Sequence, residues 1–222
     1  MRAPTALTAV ALAAASAVLL TACGGSGGSD GGSDTIKGAQ TAAPSASATT
    51  AAATGAPTAV DPSLALPADL KLDFAWTAPA DPAQALVLTT TANYLQSLAH
   101  GVVTQSFPKS GLRTYSTDQA LAYGKSYIKL RVDLKRTLTG TAGFYRPQVT
   151  IAANKTSAKV TLCENQGKLY SKEIPTGKVH VNAESVRSYS SYELVLAKFR
   201  PGVDLWQAKS IVVKESALQC KP

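Results

Sequence analysis

The chain has 222 residues and a formal net charge of +8, and 45% of its residues are hydrophobic while only 6% are aromatic. All of the aromatic residues lie between Phe74 and Trp206, so the composition predicts one folded domain in the C-terminal part of the chain. His100 and His180 are the only histidines, which excludes a metal site built from several histidines of one chain.

The first 22 residues have the pattern of a secretory signal peptide. Arg2 supplies a positive charge, and residues 6–20 form an almost unbroken run of small apolar side chains. This run is shorter than the roughly 20 apolar residues that a membrane-spanning helix needs. We therefore expect residues 1–22 to direct secretion.

The apolar run ends in Leu20, Thr21, Ala22 and Cys23, which resemble the lipobox of bacterial lipoproteins. The resemblance implies cleavage before Cys23 and attachment of diacylglycerol to its thiol, with palmitate-like chains anchored in the cytoplasmic membrane. Two or more acyl chains give stable attachment. The protein would then be a lipoprotein at the extracytoplasmic face of the cell membrane. The alternative is cleavage by the ordinary signal peptidase, which would leave a free Cys23.

Residues 23–65 contain the lipidated Cys followed by Gly, Ser, Ala, Thr and Pro. Such a segment lacks the apolar volume to offset the entropy of ordering, so it predicts a disordered tether between the anchor and a globular domain at residues 66–222. A Gly-rich coil of this length would reach roughly 35 Å. Glycosylation of its Thr and Ser residues is an alternative role.

The predicted domain is basic, with 20 Lys and Arg against 11 Asp and Glu from residue 66 onward. Outside the cytoplasm this balance favours anionic lipid headgroups or wall polymers as partners, and not nucleic acid. The alternative is a domain with scattered, solvated lysines.

Asp81-Pro82 is a typical helix start and Gly101 a typical stop, which predicts a first helix over residues 83–100. Thr117-Asp118 begins a second helix. The buried stripe of the first helix is predicted at Ala85, Leu88, Ala92, Leu95, Ala99 and Val102, and that of the second at Ala120, Tyr123, Tyr127, Leu130 and Leu134.

Beyond Leu134 the hydrophobic period changes to two, which predicts strands. Pro147 is expected to end the first strand, and Asn165-Gln166-Gly167 to form a turn. Helices followed by strands predict an α+β domain in which an antiparallel sheet folds over the helices. The strands are predicted at residues 137–145, 149–153, 159–163, 168–174, 189–199 and 205–213.

Cys163 and Cys220 remain as a pair once Cys23 is assigned to the lipid. In an oxidising compartment they are expected to form a disulfide that pins the C-terminal tail onto a strand. A redox-active pair and a pair of metal ligands are the alternatives, but no CxxC spacing supports them.

The element order resembles that of secreted or lipid-anchored NTF2-like proteins of actinobacteria, which have a cystatin-like α+β fold. The segments Thr139-Gly140-Thr141, Pro147-Gln148-Val149 and residues 160–165, with Trp206 in the last strand, carry the resemblance. It implies N-terminal helices packed on a curved antiparallel sheet, a cone around a pocket. The family's enzymes, such as ketosteroid isomerase and polyketide cyclases, depend on an acidic residue in that pocket.

No motif in the chain assigns a reaction. A Gly-x-Ser-x-Gly elbow is absent, and Thr176-Gly177-Lys178 lacks the remaining residues of a phosphate loop. Four carboxylates are candidates for a pocket base, but each has a simpler local role, so we assign no catalytic residue, no metal ligand and no cofactor. These carboxylates are Asp118, Asp133, Glu164 and Glu193.

Aromatic residues are the candidate lining of a small-molecule pocket, because side chains with an apolar body and a polar tip commonly line such cavities. Ordinary core packing is the alternative. The candidate lining residues are Tyr94, Tyr123, Tyr127, Tyr145, Tyr192 and Trp206.

Three functions are compatible with the sequence. The first is a non-catalytic module that binds a small apolar ligand or an envelope protein. The second is an isomerase or cyclase, which would need a buried carboxylate within about 3 Å of a Tyr or His. The third is a basic protein that associates with anionic wall polymers, whose binding would weaken steeply with salt.

Overall fold

The computed structural model describes residues 58–200 and 202–222. The predicted signal peptide, the lipidation site Cys23 and nearly all of the predicted tether lie outside the described residues. Within them, helices pack against a six-stranded sheet, so the predicted α+β class is confirmed. None of the helices in this part of the chain is both long and apolar enough to cross a bilayer.

The sheet has the strand order β1-β2-β3-β5-β6, and β4 pairs with the end of β3. The pairing is antiparallel except between β1 and β2, which run parallel. The short strands β1 and β4 are not predicted by the sequence. The strands are β1 Leu70–Phe74, β2 Arg136–Ile151, β3 Ser157–Glu173, β4 Val179–His180, β5 Tyr189–Lys198 and β6 Trp206–Glu215.

Strand β2 runs through Pro147, so the predicted break there is wrong. The pairing with β3 shifts register between Tyr145 and Gln148, which places the missing N–H of Pro147 in a bulge instead of in the ladder. Arg146, within the bulge, has a left-handed backbone with φ of 53°. The bulge thus lets one long strand continue while it redirects the Arg146 side chain.

Strand β3 is also continuous, so the predicted turn at Asn165-Gln166-Gly167 is wrong. Asn165 pairs with Gly143 of β2 on one side and with Tyr189 of β5 on the other. Its side-chain oxygen accepts a hydrogen bond from the Gly167 amide at 2.8 Å. Residues typical of a turn are therefore held in a strand by partners on both sides.

The first helix, α1, spans Pro82–Val103 and begins as predicted, with the Asp81 side chain accepting a hydrogen bond from the Gln84 amide. The predicted stripe of α1 is buried apart from Ala85, which is partly buried. Gly101 does not end the helix. A Cβ at Gly101 would lie 2.7 Å from the Cβ of Ser110 and would collide with the Cδ1 of Ile128, so this glycine permits close packing between helices.

A short helix α2 at Leu112–Tyr115 precedes α3 at Asp118–Asp133. The predicted stripe of α3 is wrong at its C-terminal end, because Leu130 and Leu134 are exposed. The buried face contains Ala120, Gly124 and Ile128 instead. A Cβ at Gly124 would lie 2.8 Å from Cδ1 of Leu112, so small residues four apart bring α3 against its neighbours and turn the two leucines outward.

The packed domain begins before residue 66, the predicted boundary. Leu64 is buried, and the Asp61 amide donates a hydrogen bond to the side-chain oxygen of Asn93 at 2.8 Å. The Gln96 side chain donates to the Leu64 carbonyl at 3.1 Å. The polar face of α1 is therefore covered by residues that the composition had placed in the tether.

Candidate functional site

A small cavity of about 30 Å³ lies between the inner face of the sheet and the helices. A space of this size holds about one water molecule. Apolar side chains form most of its wall, and tyrosines and one carboxylate supply the polar part. The lining residues are Leu72, Leu95, Leu98, Ala99, Tyr123, Tyr127, Leu138, Phe144, Glu164, Leu169 and Tyr192.

The carboxylate is Glu164, which lies in the middle of β3. It is opposite Phe144 of β2 and Ser190 of β5, and it follows Val160 and Leu162 on the inner face. Its exposed fraction is 6%. The Tyr192 hydroxyl of β5 donates a hydrogen bond to its Oε2 at 2.8 Å.

Burial raises the pKa of Glu164 to about 7, because the charged carboxylate loses its hydration. The hydrogen bond from Tyr192 and the charge of Arg131 act in the opposite direction and lower the pKa. Burial, and then the negative charge of Glu164, raise the pKa of Tyr192 well above its ordinary value. Glu164 therefore exchanges its proton near neutral pH while Tyr192 keeps its hydroxyl proton.

Arg131 of α3 supplies the positive charge that lowers the pKa of Glu164, and Tyr127 of the same helix holds it in place. The Arg131 guanidinium stacks over the Tyr127 ring at 3.5 Å from its centroid and donates to the Tyr127 carbonyl at 3.1 Å. Burial raises the pKa of Tyr127, and the charge of Arg131 partly opposes this. Arg131 is thus held on the helix side of the cavity. Its charge opposes part of the rise in the pKa of Glu164 that burial causes.

A carboxyl group with a pKa near 7 beside a tyrosine hydroxyl has the chemistry of a general base with a hydrogen-bond donor. A reaction would also need space for the reacting molecule. Known ligand pockets measure roughly 300–1,000 Å³, about ten times the volume beside Glu164 or more. In this structure the space beside the pair therefore holds about one water molecule.

The structure divides the six predicted lining residues into two groups. Tyr123, Tyr127 and Tyr192 line the cavity, whereas Tyr94, Tyr145 and Trp206 do not. Tyr94 and Trp206 are fully buried in the core, and the Tyr94 hydroxyl donates to the Ala120 carbonyl at 3.0 Å. For these two residues the alternative of core packing holds.

Sequence reasoning named Glu164 only as one of four candidate carboxylates and did not single it out, although a signal was present. Val160 and Leu162 were predicted to alternate inward, and Glu164 is the next position of the same alternation. The predicted turn at Asn165 led us to place the end of the strand just before this position. A continuous strand predicts a buried carboxylate there.

The other candidate carboxylates lie in exposed ion pairs. Asp118 pairs with Lys209 at 3.3 Å, Asp133 with Lys129 at 2.7 Å and Glu193 with Lys159 at 2.7 Å. An exposed ion pair therefore accounts for each of these three carboxylates. Within residues 58–200 and 202–222, no three His, Cys, Asp or Glu side chains are grouped so that they could hold a metal ion.

The two histidines lie away from the cavity. His180 of β4 pairs with Glu173 at 2.7 Å. His100 of α1 is partly buried, and its Nδ1 has no hydrogen-bond partner in the described part of the chain.

Cys163 and Cys220 form the predicted disulfide, with their Cα atoms 5.3 Å apart. Cys163 faces the opposite side of the sheet from Glu164, so the bond fixes the C-terminal tail on the outer face. The Tyr145 hydroxyl donates to the Cys220 carbonyl, and the Ala217 amide donates to the Tyr189 carbonyl at 2.9 Å. Tyr145 therefore supports the tail and not the inner cavity.

A second concavity lies on this outer face, beside the disulfide, with a volume of about 390 Å³. We call it the outer groove. Strands β3, β5 and β6 form its floor, and the tail with Arg146 forms one wall. Its lining residues are Arg146, Gln148, Thr161, Leu162, Cys163, Ser191, Tyr192, Glu193, Val212, Lys214, Gln219 and Cys220.

Comparison with known proteins gives similarities of fold at low sequence identity. No protein family and no curated protein matches the sequence. A solved NTF2-like superfamily protein from Salmonella enterica serovar Typhimurium is 12% identical, with a TM-score of 0.41 over 62% of this chain and 93% of that one. The intermembrane space region of the chloroplast protein ARC6 is also 12% identical, with a TM-score of 0.36 over 57% of this chain and 95% of that one. Neither similarity assigns a function.

The burial of Glu164 predicts a pH-dependent stability. Below its ordinary pKa of 4.5 the carboxyl is protonated in both the folded and the unfolded chain. Between pH 4.5 and about 7 only the unfolded chain loses this proton, so the free energy of unfolding should fall by about 3 kcal/mol as the pH rises, and should then level off. Urea unfolding at pH 4.5 and pH 7.5 measures the change.

The variant Glu164→Gln should lack this component, because its amide does not titrate. Glu193→Gln, on the opposite face of the same sheet, is the matched control and should keep the wild-type pH dependence. An equal loss of stability with rising pH in wild type and Glu164→Gln would contradict the pKa of about 7.

Proposed function

We propose that the chain is a membrane-anchored lipoprotein at the extracytoplasmic face of the cell membrane, whose domain is a non-catalytic binding module. Its lipid anchor would be Cys23, and the tether would carry the domain away from the bilayer. In this proposal the domain is an NTF2-like cone of the secreted actinobacterial kind, and its ligand is an acidic segment of an envelope protein.

One observation supports binding over catalysis: the inner cavity is small. Its volume of about 30 Å³ excludes a small apolar ligand as well as a substrate. Binding is therefore assigned to the outer face of the sheet. There the outer groove, at about 390 Å³, is within the size range of ligand sites.

The charges of the outer groove favour an acidic ligand. Arg146 and Lys214 are exposed at its two sides, and neither has an ion-pair partner among the described residues. Glu193, the acid of the groove, is already paired with Lys159. The groove therefore has more positive than negative charge, and its floor includes the apolar Val212. A segment that combines carboxylates with an apolar side chain would suit both features.

The groove is held in shape by covalent and hydrogen bonds. The disulfide fixes Cys220, and the Arg146 guanidinium donates to the Gln219 carbonyl at 3.0 Å. Because the bulge at Pro147 directs Arg146 toward the tail, the wall and the cation are fixed together. A preformed site of this kind loses little conformational freedom on binding.

The enzyme alternative retains one specific support, the hydrogen-bonded pair of Glu164 and Tyr192. An isomerase or cyclase would need the helices and the sheet to separate enough to admit a substrate beside this pair. Turnover abolished by Glu164→Gln would favour that alternative, whereas the binding proposal assigns Glu164 no contact with the ligand.

The anchoring part of the proposal predicts a change of location for Cys23→Ser. Expressed in a bacterial host with labelled palmitate, the wild-type chain should carry the label and sediment with membranes. Cys23→Ser should lose the label, because serine has no thiol to form the thioether. Ala43→Ser in the tether is the control and should behave as wild type. Label retained by Cys23→Ser would contradict the assignment.

The groove predicts a loss of acidic-peptide binding in Lys214→Glu. A short oligoglutamate peptide should perturb the NMR signals of β5, β6 and the tail, and the charge reversal should weaken its binding by about ten-fold or more, because like charges repel across the contact. Lys125→Glu, exposed on α3, is the control. Unchanged affinity in Lys214→Glu, or perturbations confined to another face, would contradict the site.

A further inference from the structure

Four exposed apolar side chains cluster where the end of α3 meets the turn between β3 and β4. Leu130 and Leu134 are 57% and 55% exposed at the end of α3, and Ile174 and Val179 are 47% and 38% exposed around the turn. We call this the tip patch. It lies away from the disulfide and the outer groove, and the proposed binding function makes no use of it.

Backbone contacts hold the two parts of the tip patch together. The Ile174 amide donates to the Lys135 carbonyl at 2.9 Å, next to Leu134. Within the turn, the Glu173 amide donates to the Lys178 carbonyl at 2.9 Å, next to Val179. The exposed side chains are therefore carried by two elements whose backbones are hydrogen-bonded to each other.

Cations surround these side chains. Lys135, Arg136 and Lys178 have no ion-pair partner within the described residues. Of the nearby acids, Asp133 pairs with Lys129 at 2.7 Å. Glu173 is hydrogen-bonded to His180 at 2.7 Å, and the charge of Lys178 helps to lower its pKa. The three cations outnumber Glu173, so the patch presents an apolar centre with an excess of positive charge around it.

We propose that the tip patch docks the domain onto an anionic lipid bilayer. Leu130, Leu134 and Ile174 would enter the boundary between headgroups and acyl chains, while Lys135 and Lys178 would contact anionic headgroups. A lipid surface fits this combination, because it offers an apolar layer for the leucines and isoleucine and anionic headgroups beside it for the lysines.

A second copy of the chain fits the tip patch less well. A stable dimer buries about 800 Å² per partner, which four partly exposed side chains do not supply. Two copies of the patch would also bring their unpaired cations together. A soluble anionic polymer would satisfy the cations but would leave the apolar centre in water.

Vesicle binding of the chain from residue 23 onward, with Cys23→Ser to remove any lipid, tests the proposal independently of lipidation. The chain should sediment with vesicles that contain phosphatidylglycerol and should remain in the supernatant with phosphatidylcholine alone. Added salt should weaken the binding. No binding to the anionic vesicles would overturn the proposal.

Two pairs of variants separate the apolar and the charged contributions. Lys135→Glu with Lys178→Glu should weaken vesicle binding by at least about five-fold per charge, the effect of one cation near an anionic surface. Leu134→Ser with Ile174→Ser should weaken binding but leave its salt dependence unchanged, because these substitutions remove no charge. Phe199→Ser and Lys155→Glu alter exposed positions elsewhere and are the matched controls, and thermal unfolding checks that every variant is folded.

A tryptophan at the tip gives a second measurement. In Leu134→Trp, brominated lipid should quench the added fluorescence on anionic vesicles, whereas Leu218→Trp in the C-terminal tail should not be quenched. Equal quenching at both positions would overturn the proposal. Binding to soluble polyglycerol phosphate without binding to anionic vesicles would also overturn the proposal.

Discussion

A carboxyl group on the inner face of the sheet, Glu164, is the constraint on which the interior of the domain depends. Burying a charged carboxylate is costly, so the structure encloses Glu164 with a hydrogen bond from Tyr192 and the nearby charge of Arg131. The surrounding leucines and tyrosines leave space for about one water molecule. The hydrogen bond and the nearby charge thus offset part of the cost of burying Glu164.

The outer surface is organised by the same strands that bury Glu164. Side chains alternate along β3, so Cys163 faces outward where Glu164 faces inward, and the disulfide fixes the tail on the outer face. The bulge at Pro147 turns Arg146 toward this tail. A single register of β2, β3 and β5 therefore places both the enclosed carboxylate and the wall of the outer groove.

The helix start at Asp81, the stripe of α1 and the disulfide could be predicted because each depends on local pattern or on cysteine count. The continuity of β2 and β3 could not, since Pro147 and Asn165-Gln166-Gly167 are overridden by strands paired on either side. The exposure of Leu130 and Leu134 depends on close packing at Gly124, which appears only in three dimensions. Glu164 escaped assignment because its strand was predicted to end too early.

The central claim is that the space beside a protonatable Glu164 is too small for a ligand, and a carbon-13 NMR titration of this carboxyl tests it most directly. We predict a midpoint near pH 7 that does not change when a small apolar ketone is added, because the ketone cannot enter a space of about 30 Å³. A midpoint near 4.5 would contradict the burial of Glu164. A midpoint that moves when the ketone is added would show that a ligand reaches Glu164 and would favour catalysis at this site.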